Sequence, residues 1–159
     1  MAGQRKVADR KLSNGILERS SRRMRTALDS SVILDVLTND KIWADPSHKS
    51  LNEAMSSGSL VICECALAEI TPALASDDLE AFLADWGIQF VPTSRAAAIE
   101  AGGMYRTYLE RKGAAKRVLP DFLIGAHAMH HADRLLARDR GYYRDYFSDL
   151  ELLEPHFST

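Results

Sequence analysis

Residues 25–37 read Arg25-Thr26-Ala27-Leu28-Asp29-Ser30-Ser31-Val32-Ile33-Leu34-Asp35-Val36-Leu37, and this stretch decides the fold class. The opening run, Arg25-Thr26-Ala27-Leu28, has the character of a strand that ends at Asp29. The period then changes. Val32, Ile33, Val36 and Leu37 fall on one face of a helix spanning about residues 31–37. A short apolar run passing directly into an amphipathic helix is the first half of a β–α unit.

The alternation continues downstream. Pro46 opens a helix through about residue 56, and Gly58 closes it. Leu60-Val61-Ile62-Cys63 is too short for a helix and reads as a buried strand. Residues 64–70 read as helix, interrupted at Thr71-Pro72. Ser76 is expected to cap the next helix, whose first turn carries Asp77, Asp78 and Glu80, and Gly87 ends it. Ile88-Gln89-Phe90-Val91 is the third strand. A long helix over about 94–112 places Ala97, Ala101, Met104, Tyr105 and Tyr108 at helical spacing; Gly102-Gly103 weakens it and is expected to permit close packing. Pro120-Asp121 starts a helix to about 131, Leu135-Leu136-Ala137 forms a fourth strand, and a last strand is expected at about 150–153. The pattern predicts a three-layer α/β domain with helices on both sides of a short, mostly parallel sheet. No internal repeat or second-domain linker is visible.

Working upstream, Met24 looks like the natural start of this domain, so residues 24–159 are expected to fold as one unit. Residues 1–23 hold seven Lys/Arg against Asp9 and Glu18, a net +5, and are expected to be a flexible basic extension. With a total charge of −2, the other 136 residues carry −7. A body that acidic repels RNA unless its charges are segregated or its carboxylates hold metal. At 159 residues and 46% hydrophobic composition, the chain can bury one sizeable core. No apolar run approaches the roughly 20 residues that span a bilayer, and the N-terminus lacks a secretory-type apolar stretch, so a cytoplasmic protein is the default expectation. Cys63-Glu64-Cys65 is spaced too tightly for a comfortable disulfide and lacks zinc-site spacing; both thiols are expected to be reduced and buried.

In open α/β sheets, functional groups gather beyond the carboxyl ends of the strands. Asp29 ends the first strand and Asp139 follows the fourth. Glu69 lies on the helix after the second strand, and Asp121 in the first turn of the helix before the fourth. Four carboxylates from distant segments could converge at one sheet edge. Brought together they repel one another, and a divalent cation among them makes the arrangement favourable. Each acid alone has an ordinary reading: Asp29 and Asp121 as caps, Glu69 as a solvated side chain, and Asp139 as a surface ion pair among Arg138, Arg140 and Arg144.

The local strings narrow this. The stretch from Ala27 to Asp35 resembles the opening strand and helix of a PIN domain. Ala66-Leu67-Ala68-Glu69-Ile70 is similar to that family's helical glutamate segment. Leu119-Pro120-Asp121-Phe122-Leu123-Ile124-Gly125-Ala126-His127-Ala128 is similar to its third acidic motif, the most specific of the four. Leu135-Leu136-Ala137-Arg138-Asp139-Arg140-Gly141-Tyr142-Tyr143 resembles the closing motif of VapC-type toxins. The resemblance spans about residues 24–155 with the motifs in order. It implies an endoribonuclease that uses Mg²⁺ or Mn²⁺, with Asp29, Glu69, Asp121 and Asp139 as catalytic and metal-binding acids. It also implies a homodimer, joined through the apolar faces of the early helices, and a cognate antitoxin whose tail enters the active-site groove. One departure is Ala137, where the family often has Thr or Ser; it bears more on Asp139 than on Asp29 and Asp121.

Other groupings weigh less. His127, His130 and His131 share a predicted helix but lack the glutamate of a metalloprotease string, so a packed or half-exposed set is expected. Arg111, Lys112, Lys116 and Arg117 precede Asp121, and Arg138 and Arg140 flank Asp139; these six are the candidates for phosphate contacts with RNA. A haloacid-dehalogenase type of site needs Asp-x-Asp at the first strand, which Asp29-Ser30-Ser31 does not supply, and the acids and lysine of a receiver domain are not evident. A non-catalytic PIN-like domain that binds RNA or protein is the alternative reading.

Overall fold

The computed structural model describes residues 23–112, 118–138 and 141–158. The chain order is β1 (Met24–Leu28), α1 (Ser30–Leu37), α2 (Ala44–Ser57), β2 (Gly58–Ile62) and α3 (Glu64–Ile70), then a 3₁₀ turn at Thr71–Ala73 and α4 (Ser76–Asp85). It continues with β3 (Ile88–Phe90), α5 (Arg95–Lys112), α6 (Leu119–His131), β4 (Arg134–Leu136), α7 (Tyr142–Tyr146) and β5 (Leu152–Leu153). The five strands form one sheet in the order β3-β2-β1-β4-β5. Every pairing is parallel, with Thr26 opposite both Leu60 and Arg134.

That order follows from crossover handedness. From β1 to β3 the chain steps outward on one side, so right-handed crossovers put α1 to α4 on one face. It then returns past β1 to β4, and the reversal puts α5 and α6 on the other face. With both faces covered, the carboxyl-terminal halves of the central strands are apolar and buried: Ala27, Leu28, Leu60, Val61, Ile62, Leu135 and Leu136 are all at most 1% exposed. The reversal makes the gap between the carboxyl ends of β1 and β4 the switch point, where such sheets bind ligands.

Several expectations need correction. Gly102 and Gly103 permit no close approach, since no neighbouring atom lies within 4 Å of where a Cβ would stand; they face solvent. The packing face of α5 is the opposite one, with Ala97, Ala101 and Tyr108 buried against the core. The cap position of α4 is Ala75 and not Ser76, which is already helical. Cys63 is buried but Cys65 is half-exposed. The last strand is only Leu152–Leu153, and the short helix α7 had no counterpart in the sequence reading. The basic extension lies outside the described residues except for Arg23. Among the described residues no helix is long and apolar enough to cross a membrane.

Candidate active site

Asp29 is placed by both elements it joins. Its backbone N–H donates to the carbonyl of Leu136 at 3.0 Å, fastening the exit of β1 to the end of β4. Its side chain caps α1, accepting from the Ser31 N–H at 3.2 Å and from the Ser31 hydroxyl through Oδ2. An Asp in extended conformation followed by small polar residues is a favoured helix start. The other oxygen, Oδ1, accepts from the phenol of Tyr143 at 2.9 Å. With all these partners Asp29 is only 6% exposed.

Glu69 sits in the last turn of α3, and the Ser30 hydroxyl donates to its Oε2 at 2.5 Å. Asp121 lies in the first turn of α6, where the helix dipole favours an anion. Asp29, Glu69 and Asp121 line one cleft of about 360 Å³, together with Ser30, Ser31, Leu34, Arg138, Tyr142 and Tyr143. It opens at the switch point. Asp139, the fourth predicted acid, lies outside the described residues, as do Lys116, Arg117 and Arg140.

The convergence of charge is legible in two bystanders. Burial pushes the Tyr143 phenol well above its ordinary range, and Asp29, Asp121 and Glu69 push it further. Burial also raises the Cys65 thiol, to about 12, with Glu69 the largest charge contribution and Asp121 among the rest. These are hard oxygen donors in a negative field, the chemistry that suits Mg²⁺ or Mn²⁺. Among the described residues no group of three or more His, Cys, Asp or Glu is drawn together tightly enough to enclose an ion. Mg²⁺ tolerates that looseness, because it binds through one or two carboxylates and keeps several waters. The donor set therefore fits the cation.

Of the phosphate-contact candidates, Arg138 lines the cleft but also pairs with the buried Asp35 at 2.9 Å and stacks over the Trp43 ring at 5.1 Å. Arg111 is exposed, with its guanidinium 5.3 Å from the Tyr146 ring centre. Lys112 ends α5. The histidines are a packed set. His127 donates from Nε2 to the Val91 carbonyl at 2.7 Å, His131 accepts from the Ser94 N–H at 3.0 Å, and His130 pairs with Glu100. What the sequence reading missed are the hydroxyls that hold the acids, Ser30, Ser31 and Tyr143. The Asp29-Ser30-Ser31 cap was a usable signal for the serines. Nothing local announces Tyr143, 114 residues from its partner.

Residues 26–147 match the PIN domain family model, and the chain belongs to the PIN domain family. Its fold is similar to VapBC2 from Rickettsia felis bound to a DNA fragment from their promoter, at 20% identity and TM-score 0.60, covering 82% of this chain and 98% of that one. It is also similar to VapBC-1 from nontypeable Haemophilus influenzae (15% identity, TM-score 0.59, 82% and 98% covered). A third likeness is FitAcB from Neisseria gonorrhoeae (17% identity, TM-score 0.57, 82% and 97% covered). No curated protein sequence matches the chain.

Proposed function

We propose that this PIN domain is a VapC-type toxin, an endoribonuclease that hydrolyses RNA phosphodiester bonds in the cytoplasm with Mg²⁺ or Mn²⁺. The observation that carries this reading is the meeting of Asp29, Glu69 and Asp121, from three distant segments, in one cleft at the switch point of the sheet. These three carboxylates would hold the cation, with Asp139 completing the set. A bound cation would supply Lewis-acid stabilisation of the phosphate and lower the pKa of a coordinated water. The protein's own groups do the rest. Ser31 and Tyr143 fix Asp29, Ser30 fixes Glu69, and the α6 dipole favours charge on Asp121. Arg138 supplies a guanidinium at the cleft edge that can meet a phosphate, and Arg111, Lys112, Lys116, Arg117 and Arg140 are the further candidates for the RNA backbone.

The VapBC and FitAcB likenesses support an antitoxin as partner, which would neutralise the enzyme by occupying the cleft. A homodimer is part of the same proposal. The test is growth of bacteria expressing the full chain beside Asp121→Asn at matched level, followed by mapping of RNA ends. Arrest and new RNA ends with the first only is the expected result. Equal arrest by both would exclude catalysis as the cause. Failure of the wild-type chain to bind Mn²⁺ would favour the non-catalytic alternative.

A further inference from the structure

Asp29 is gripped from two sides, and counting its lone pairs gives a consequence for the cation it can hold. An ionised carboxylate offers about four acceptor sites, two on each oxygen. Oδ2 accepts from both the N–H and the hydroxyl of Ser31. The backbone N–H of Arg138, which can only donate, is that hydroxyl's other partner at 3.2 Å, which leaves Asp29 as the acceptor for its proton. The single Ser31 proton is thereby directed at Asp29. Oδ1 accepts from Tyr143 at 2.9 Å. Three sites are taken, and the one that remains is on Oδ1.

We infer that Ser31, by filling Oδ2, restricts Asp29 to monodentate coordination through Oδ1, and that Tyr143 is the positioning residue that fixes where Oδ1 points. Terminal carboxylate torsions are broad, so an unheld carboxylate beside two other anions would rotate freely. Tyr143 is placed to prevent that. Its ring is 4% exposed, and its helix is held by Phe122 against Tyr146 and by the left-handed turn at Gly141 (φ +96°). Monodentate carboxylates suit the octahedral demand of Mg²⁺ and Mn²⁺, whereas Ca²⁺ readily takes both oxygens. The clamp is therefore a selectivity device as well as a support.

The inference rests on the metal-dependent reading proposed above, and the test separates the two. The full chain, Tyr143→Phe, Ser31→Ala and Asp29→Asn are titrated with Mn²⁺, following free Mn²⁺ by electron paramagnetic resonance, and with Ca²⁺ in competition. Circular dichroism in EDTA checks folding. Tyr143→Phe keeps the ring and loses only the hydroxyl; it is expected to weaken Mn²⁺ roughly 10- to 100-fold, as loss of an outer-sphere partner does. Ser31→Ala frees a lone pair on Oδ2, the second oxygen a bidentate cation needs, so it is expected to raise Ca²⁺ affinity relative to Mn²⁺. Tyr143→Phe frees one on Oδ1 alone and is expected to leave that ratio unchanged. Should Tyr143→Phe not fold, the Ca²⁺/Mn²⁺ ratio of Ser31→Ala still decides. If the wild type binds Mn²⁺ and Asp29→Asn does not, but the ratio in Ser31→Ala stays within twofold of wild type or folded Tyr143→Phe binds Mn²⁺ as wild type does, the inference is overturned and the metal site stands. If the wild type binds no Mn²⁺, both fall.

Discussion

Arg138 and Asp35 form an ion pair at 2.9 Å in which the carboxylate is only 3% exposed while the guanidinium edges the cleft. The pair joins the exit of β4 to α1, the helix that Asp29 caps. Asp35 Oδ2 is held in turn by the Ser47 hydroxyl at 2.7 Å, and the Trp43 ring covers the guanidinium. A side chain that carries charge into the cleft thus also holds the cleft wall in place.

Arg138→Ala should therefore destabilise the fold, whatever the guanidinium does at the cleft edge. Removing one partner leaves the buried Asp35 without its ionic partner, a loss of about 3 kcal/mol, at the low end for buried pairs because Ser47 still serves one oxygen. Urea denaturation reads the loss. Adding Asp35→Leu to Arg138→Ala should recover much of it, because no buried charge is then stranded. A single variant as stable as wild type would mean that the pair does no structural work.

Much of the fold was legible because its signals are local. The strand-to-helix change at Asp29, Pro120 in the first turn of α6 and the stop at Gly87 each write their element in adjacent residues, whereas α2 begins at Ala44, two residues before the expected start at Pro46. The positions of three acids were also legible, since each lies at or beside the end of an element whose bounds could be placed. The hydroxyl partners were less so. Tyr143 reaches Asp29 only through a five-residue helix whose position is set by aromatic packing, and such packing leaves no periodic trace. Gly102-Gly103 misled in the opposite direction. Glycine pairs often mark close approach, yet here they lie on the solvent side of α5.

Gly125, like Gly58 beside the Met24 backbone, marks a true close approach. A Cβ there would lie 2.6 Å from the Phe147 ring, which is itself 4% exposed and cannot swing away. Gly125→Ala should push Phe147 and α7 outward, at about 1–3 kcal/mol for overpacking. Because α7 carries Tyr143, Mn²⁺ affinity should fall as well, although Gly125 has no side chain to reach the cleft. Thermal unfolding and Mn²⁺ titration of the variant would show both effects. Unchanged Mn²⁺ binding beside lowered stability would mean that α7 and the site are uncoupled.

His127 should make stability pH-dependent. Burial holds its imidazole below the ordinary value, reinforced by His131 and opposed by the Val91 carbonyl and Glu64. Between that depressed value and about 6.5, the unfolded chain binds more protons than the folded one, so stability rises with pH there. The contribution is complete above about pH 6.5 and is lost as pH falls through the folded-state value. From one group the slope is at most about 1.4 kcal/mol per pH unit. Denaturation midpoints from pH 7.5 to 5 should decline less steeply in His127→Gln, whatever its absolute stability. Parallel curves would assign the dependence to other groups.

Cys65 offers a chemical reporter of the cleft. Its thiol is pushed up to about 12, first by burial and next by Glu69, with Asp121 also contributing. Only the thiolate is alkylated, so at pH 8 about one thiol in ten thousand is reactive, against roughly a quarter for an ordinary cysteine. In a Cys63→Ser background, which leaves Cys65 alone, iodoacetamide should react on the order of a thousandfold more slowly than with a free thiol. Saturating Mn²⁺ should accelerate it, because a cation beside Glu69 and Asp121 cancels the field that disfavours the thiolate. Asp121→Asn should be faster than its parent without metal and gain less from adding it. Ordinary reactivity in EDTA would contradict both the burial of the thiol and the carboxylate field around it. Slow reactivity unmoved by Mn²⁺ would attribute the shift to burial alone and leave the cation no place beside Glu69.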